Sequence, residues 1–280
     1  MPKAASKTAP NTTPKTAPKA APKPAGRIAG VLLDLSGVVF VGDAAIGEAV
    51  ASLRDLRASG LPLRFVTNTT SKPLRALLEQ LRRLGIEAGS RDIVTPATAA
   101  RRLVRERGLS PRLVVHPDLL EDFAPPPARP ADAVILGDAG RAFSYEALNE
   151  AFRLIEGGAA FIALARNRTF KDADGQLSLD AGPFVAALEY ATRRDALLIG
   201  KPSAAFYAAA VADLGTAARE TAMIGDDVEA DVAGALEAGM AGLLVRTGKY
   251  KHGDEGRIDP GPTATLADLR QAVDWVLERR

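Results

Sequence analysis

Four short apolar runs in this chain each end in polar residues that a strand by itself has no use for. Residues 29–33 lead into Asp34-Leu35-Ser36-Gly37, and residues 63–66 into Thr67-Asn68. Residues 196–199 lead into Gly200-Lys201-Pro202, and residues 221–224 into Gly225-Asp226-Asp227, with Asp231 four residues on. Together the ends hold carboxylates, a hydroxyl, an amide and one ammonium, a set suited to phosphoryl transfer. Asp34 has no His or Cys beside it, so its own carboxylate is the natural attacking group, through an aspartyl-phosphate. Carboxylates from two strand ends, Asp34 and Asp226, suit the oxygen-rich octahedral demand of Mg²⁺. Lys201, the Thr67 hydroxyl and the Asn68 amide would hold the non-bridging phosphate oxygens. Nucleophile and phosphate are both anionic, so a metal and a lysine are needed to let them approach.

The elements that must position these residues are short. Apolar runs at 29–33, 63–66, 113–115, 133–136, 159–164, 196–199, 221–224 and 241–245 show no clean alternation, as expected of strands covered on both faces. Amphipathic segments between them predict helices over 71–84, 145–156, 183–192, 204–214, 228–238 and 266–278. Alternation of this kind predicts an α/β protein with mostly parallel sheets, whose ligands bind at the carboxyl ends of the strands. A Pro-rich loop at 124–132 and a turn signal at 171–175 set the middle of the chain apart.

DLSGV at 34–38, TN at 67–68, GKP at 200–202 and GDDxxxD at 225–231 resemble, in order, the four motifs of the haloacid dehalogenase-like phosphatase superfamily. The long insert between the second and third motifs resembles its C2-capped class, and the likeness runs over residues 27–280. The resemblance implies a doubly wound, Rossmann-like hydrolase core at 27–92 and 196–280, with an inserted α/β cap at 93–195 that selects substrates. It implies that Asp34 is nucleophile and Mg²⁺ ligand, that Ser36 lends its backbone carbonyl to the metal, and that Asp226 is the second carboxylate on it. Thr67 and Asn68 would bind the transferring phosphate and Lys201 would stabilise it, with Asp227 and Asp231 in support. The substrates it implies are small phosphate compounds: pyrophosphate, phospholysine or phosphohistidine, and phosphate monoesters. Similar proteins often pair through their caps, so a homodimer is an assembly that the resemblance allows, while the sequence leaves the oligomeric state open.

One position departs from most of the superfamily. Phosphatases of this kind usually carry Asp two residues after the nucleophile, as general acid and base, whereas this chain has Ser36. A hydroxyl cannot protonate a leaving group near neutral pH. The site therefore suits leaving groups that need little help: a phosphoramidate protonated on nitrogen, or pyrophosphate with Mg²⁺ on its leaving half. Ser36 also keeps a second reading open, a phospho-ligand binding module that retains the pocket and has lost turnover.

Composition bounds the alternatives. The 280 residues are 47% hydrophobic, enough for one large domain or two ordinary ones. There is no Cys, which excludes disulfides, thiolate nucleophiles and Cys-type metal sites, and two histidines make a His-rich centre implausible. No apolar stretch approaches a membrane span and no secretory signal core is present, so a soluble, cytoplasmic protein is expected. Residues 1–26 form a Lys/Ala/Pro-rich tail with five lysines and no acid, expected to be disordered and at most to make weak contacts with a polyanion. The remainder carries 31 basic against 34 acidic residues, so no basic groove for nucleic acid is implied.

Other polar residues have plainer readings. Asp227 and Asp231 open a predicted helix, where capping alone would explain an acid. His116 and His252 read as structural or solvated residues. Asn167 and Arg166 follow the run at 159–164 and either face the site or fill a strand-end loop. Trp275 reads as a packing residue on the last helix.

Overall fold

The computed structural model describes residues 26–125, 129–171 and 176–280, with the side chain of residue 171 left aside. The tail at 1–25, part of the Pro-rich loop and most of the turn at 171–175 lie outside the described residues. The chain opens with β1 (Gly30–Asp34), a hairpin of β2 (Phe40–Val41) and β3 (Ala44–Ala45), and α1 (Ala49–Ala58). Then come β4 (Leu63–Val66), α2 (Leu74–Arg83), β5 (Ile93–Val94) and α3 (Pro96–Glu106). The middle holds β6 (Pro111–Val114), β7 (Ala133–Leu136), α4 (Tyr145–Glu156), β8 (Ala160–Ala163), a hairpin of β9 (Thr169–Lys171) and β10 (Leu177–Leu179), α5 (Ala181–Thr192) and β11 (Leu197–Leu198). The last third holds α6 (Ala204–Leu214), β12 (Thr221–Gly225), α7 (Gly234–Glu237), β13 (Ala241–Val245), β14 (Ala264–Leu266) and α8 (Leu269–Leu277).

Six strands form one parallel sheet in the order β14-β13-β12-β1-β4-β5. β1, β12 and β13 are buried along their whole length, which is why their sequences are apolar apart from Asp34 at the end of β1 and Thr221 at the start of β12. Helices cover both faces. Leu53, Leu56, Leu77, Leu81, Val273 and Val276 from α1, α2 and α8 pack with Val31 and Leu33 on one side. Phe206, Tyr207 and Ala210 from α6 pack with Leu32, Val66 and Met223 on the other. From β1 the chain winds outward through β4 and β5, then returns to β12 and winds the opposite way. The crevice between the ends of β1 and β12 is therefore the switch point at which sheets of this kind bind ligands. Leu33 is in register with Ile224, so Asp34 and Asp226 leave the sheet side by side.

A second parallel sheet, in the order β11-β8-β7-β6, carries α4 and α5 over a smaller core of Val134, Leu136, Ile155, Ala163 and Val185. This is the α/β insert expected from the sequence. Sheet membership shifts its edges from the expected 93–195: β5 pairs with β4 in the larger sheet, and β11 pairs with β8 in the smaller one. Both are two-residue strands, too short to show a pattern of their own.

Several predicted elements begin later or differ in kind. The helix expected from 71 starts at Leu74, because Pro73 holds an extended backbone at its N-cap. The helix expected from 266 starts at Leu269, where Asp268 caps it by accepting the Gln271 N–H at 3.0 Å. The segment expected as one helix over 228–238 opens as a π-helical turn, Val228–Ala233, before α7. Helices α1 and α3 were not anticipated. No helix among the described residues is long and apolar enough to cross a membrane.

Candidate active site

The four predicted strand ends meet in one pocket. It is lined by Asp34, Ser36, Thr67, Asn68, Lys201, Asp226, Asp227 and Asp231, and Lys249 joins them. At its centre the buried Lys201 ammonium donates to Asp34 Oδ1 at 2.5 Å and to Asp231 Oδ1 at 2.6 Å. Asp231 accepts a second bond, from the Asp227 N–H at 3.1 Å, so both its oxygens are engaged. The Cα of Gly225 lies so close that a Cβ there would sit 2.2 Å from Asp231 Oδ2. A glycine at the end of β12 is thus required by the acid six residues later.

Asn68 does not use its side chain as expected. Its amide donates to the Lys201 carbonyl at 2.8 Å, and its Oδ1 accepts from the Lys201 N–H at 2.8 Å. The side chain positions the lysine and leaves one amide hydrogen for a ligand. Thr67 is buried, with its N–H on the Val94 carbonyl at 3.2 Å. Its hydroxyl oxygen accepts from the Thr69 N–H at 3.3 Å, which leaves the hydroxyl hydrogen to donate.

Asp226 is seated between two glycines. Gly37 and Gly248 have φ of +86° and +55°, and a Cβ on either would lie 2.0 Å from Asp226 Oδ2. The same oxygen accepts the Lys249 N–H at 2.6 Å. Thr247 locks the two loops together by donating its hydroxyl to the Gly37 carbonyl at 2.5 Å. Asp227 caps the π-helical turn, its Oδ1 accepting from Glu229 N–H at 3.1 Å and Ala230 N–H at 3.0 Å. Its Oδ2 accepts from Lys249 Nζ at 3.2 Å. Asp227 is thus a cap, as its place in the sequence suggested, and it is also an ion-pair partner of Lys249.

Burial dominates the electrostatics. It pushes the Asp34 carboxyl up to about 7, with Lys201 pulling down and Asp231 and Asp226 adding to the rise. Asp226 is pushed up to about 6, again by burial first and then by Asp231. Burial works against the charge of Lys201, but Asp231 and Asp34 outweigh it and hold the ammonium well above its ordinary pKa. Burial also works against the Asp227 charge, yet the Ala230 N–H and Lys249 keep that carboxyl below its usual range.

One oxygen from each of Asp34, Asp226 and Asp231 lies within 4.8 Å of the others. These three carboxylates face a single ammonium, so the cluster is short of positive charge by the amount a divalent cation carries. An all-oxygen donor set of this kind fits Mg²⁺. Asp34 and Asp226 would hold the ion directly, because Asp231 is committed to Lys201 and the Asp227 N–H. Ser36 is exposed on the pocket wall, and its carbonyl takes no hydrogen bond from the described residues.

The far wall of the pocket was not foreseen apart from Asn167. Asp138 follows β7, Asn167 follows β8, Phe170 lies in β9 and Asp180 caps α5, so the second sheet contributes its own strand ends. Arg166 turns away and pairs with Glu189. His116 caps the turn at Pro117–Phe123, accepting from the Asp118 N–H at 3.3 Å. Trp275 packs against the large core with the Arg279 guanidinium 4.1 Å from its ring centre.

Comparison with known proteins points to one family. A sequence model described as haloacid dehalogenase-like hydrolase matches residues 31–123, and a second, described as HAD-hydrolase-like, matches residues 198–272. The chain is 45% identical over 251 residues to haloacid dehalogenase-like hydrolase domain-containing protein 2 of Rattus norvegicus, covering 90% of this chain and 96% of that protein. It is 39% identical over 259 residues to phospholysine phosphohistidine inorganic pyrophosphate phosphatase of Danio rerio, covering 90% and 96%. Among solved structures, 4-nitrophenylphosphatase of Thermotoga maritima superposes with a TM-score of 0.81 at 25% identity, over 89% of this chain and 97% of that one.

Proposed function

The chain belongs to the haloacid dehalogenase-like hydrolases, and from that premise we propose that it is a Mg²⁺-dependent phosphatase of small phosphate compounds acting through an aspartyl-phosphate on Asp34. The observation that carries the reading is the placement of Asp34. It is a buried carboxylate at the switch point of the sheet, held by Lys201 and grouped with Asp226 and Asp231.

Lys201 ties down Asp34 Oδ1, which leaves Oδ2 to attack phosphorus. The Thr67 hydroxyl and the remaining Asn68 amide hydrogen reach toward the non-bridging oxygens, and Lys201 offsets the charge that develops there. Asp34 and Asp226 would hold Mg²⁺, which would supply the positive charge that lets an anionic nucleophile meet an anionic phosphate. The bond from phosphorus to the leaving group breaks, and the leaving group departs with the electron pair. Water then attacks phosphorus, the Asp34–phosphate bond breaks, and carboxylate and inorganic phosphate are regenerated. A carboxylate is itself a good leaving group, so the second step needs no acid. The first step has none at position 36 either, which favours pyrophosphate, P–N compounds and aryl phosphates over alkyl phosphates. The four-stranded unit, whose loops form the far wall, acts as the cap.

The test is phosphate release from pyrophosphate, phospholysine, phosphohistidine and p-nitrophenyl phosphate, with Mg²⁺, with EDTA, and in Asp34→Asn. Metal-dependent release that disappears in the variant is expected. Folded protein that binds phosphate and Mg²⁺ yet releases nothing would turn the reading to a binding module.

A further inference from the structure

The cap side of the pocket holds two carboxylates, Asp138 and Asp180, that form no ion pair with the described residues. Asp180 is only 7% exposed, and Asp138 is half-buried beside it, close enough to raise its pKa after burial has done so. Asp180 Oδ1 accepts the Ala181 N–H at 2.6 Å, and the Asn167 side chain also bonds it. Asp138 Oδ1 accepts the Gly140 N–H at 3.0 Å. These bonds fix both carboxylates against the pocket but neutralise neither. Among the described residues neither forms an ion pair, and Lys249, whose charge acts on Asp180, is already bonded to Asp227.

A buried carboxylate beside another carboxylate is costly unless a cation meets it. The Mg²⁺ expected in this pocket would be held by Asp34 and Asp226 on the opposite wall. A transferring phosphate would lie between that wall and the cap, so its leaving group points toward Asp138, Asp180 and the half-exposed ring of Phe170. An aromatic face and two carboxylates receive an organic cation well.

We propose that Asp138 and Asp180 are specificity-determining residues that select phosphate compounds whose leaving group carries an ammonium or imidazolium charge. This deepens the phosphatase reading above and rests on it. The missing charge comes from the substrate: an aminoalkyl phosphate, or a phosphoramidate of a basic side chain. A neutral alkyl leaving group of the same size meets no matching charge on this wall.

The experiment compares O-phosphoethanolamine with n-propyl phosphate, which differ by an ammonium in place of a methyl. Both are assayed in the wild type and in Asp138→Asn/Asp180→Asn, whose amides keep the turn at Gly140 and the cap on α5. The wild type should favour the ammonium compound by about 10-fold or more in kcat/KM, and the double variant should bring that ratio to within about 3-fold of unity. A wild-type ratio near or below one would overturn the proposal, as would a ratio unchanged in the variant. A preference for pyrophosphate that steepens with a second order in Mg²⁺ would assign the wall to a second metal ion instead. p-Nitrophenyl phosphate separates the two levels, since its hydrolysis reports the phosphatase reading alone. Calorimetric binding of the matched pair to Asp34→Asn reads the same charge preference without turnover.

Discussion

Asn68 and Lys201, 133 residues apart, are joined at two points: the amide of one grips both the N–H and the carbonyl of the other. The contact ties the end of β4 to the loop after β11 and so sets where the ammonium enters the pocket. Gly200 makes it feasible, since a Cβ there would lie 2.5 Å from the Leu164 carbonyl and 2.9 Å from Asn68 Oδ1. An amide that looked like a phosphate ligand is first a fixture for the lysine.

Removing that fixture should be felt in turnover. Asn68→Ala leaves a main-chain donor and acceptor of Lys201 without partners, a loss of about 1–3 kcal/mol in precise placement. Steady-state assay with p-nitrophenyl phosphate should show kcat reduced roughly 10- to 100-fold, with the melting temperature lowered by a few degrees. Unchanged kcat would mean that Lys201 holds its position without the clamp.

The glycine seat of Asp226 predicts a metal-specific defect. Gly248→Ala would put a Cβ 2.0 Å from Asp226 Oδ2 at a φ of +55°, forcing the carboxylate out of place. Gly42→Ala is the control, because its φ is +56° with nothing within 4 Å of the added atom. Both should lose about 1 kcal/mol of stability from backbone strain. Only Gly248→Ala should also lose Mg²⁺ affinity, by about 10-fold or more in a calorimetric titration. Equal affinities in the two variants would remove the seat from the argument.

The buried carboxylates make stability depend on pH in a direction opposite to that of most salt-bridged acids. Asp34 at about 7 and Asp226 at about 6 stand above the ordinary 3.8, so the folded, metal-free protein binds more protons than the unfolded chain between those limits. Their contribution is fully present below the ordinary carboxyl pKa and is lost as pH rises through about 6 to 7. Mg²⁺ requires the deprotonated form, so the gain in melting temperature from the metal should grow from about pH 5 to pH 8. Thermal melts with EDTA and with Mg²⁺ across that range test it; a gain that stays level or shrinks would refute the charge state assigned to the cluster.

The site was legible where strand ends carry it. Asp34, Thr67 and Asp226 stand at the ends of β1, β4 and β12, and one parallel sheet gathers such ends on one edge whatever the loops do, whereas Lys201 follows β11 of the smaller sheet and is held to the end of β4 by Asn68. What escaped the sequence lies where a contact is made by backbone or by distant loops. Gly37 and Gly248 are ordinary turn glycines until Asp226 is placed between them. Asp138 and Asp180 read as turn and cap residues, which they are, and only the facing of the two sheets turns them toward the nucleophile. The six-residue π-helical turn after Asp227 shows the same limit. Its sequence has helical periodicity, but Asp231 must meet both Lys201 and the Asp227 N–H, and the wider turn accommodates that.

Position 36 decides which leaving groups the pocket can release. Ser36 is exposed on the pocket wall, two residues beyond the nucleophile, and offers no proton near neutral pH. Ser36→Asp places a carboxyl there, in the pocket that also holds the Asp34 and Asp226 carboxylates, whose negative charge raises the pKa of a neighbouring acid. Such a group can give its proton to a departing alkoxide, an effect worth about 100-fold or more where the leaving group is poor. n-Propyl phosphate should gain turnover relative to p-nitrophenyl phosphate, whose leaving group departs unaided, by about 10- to 100-fold in the ratio of kcat values. The ratio is the useful readout, because the added carboxylate also raises the negative charge around the metal and lowers absolute rates for both. If the ratio does not move, the proton for alkyl leaving groups comes from elsewhere in the pocket, and the serine does not restrict the substrate range.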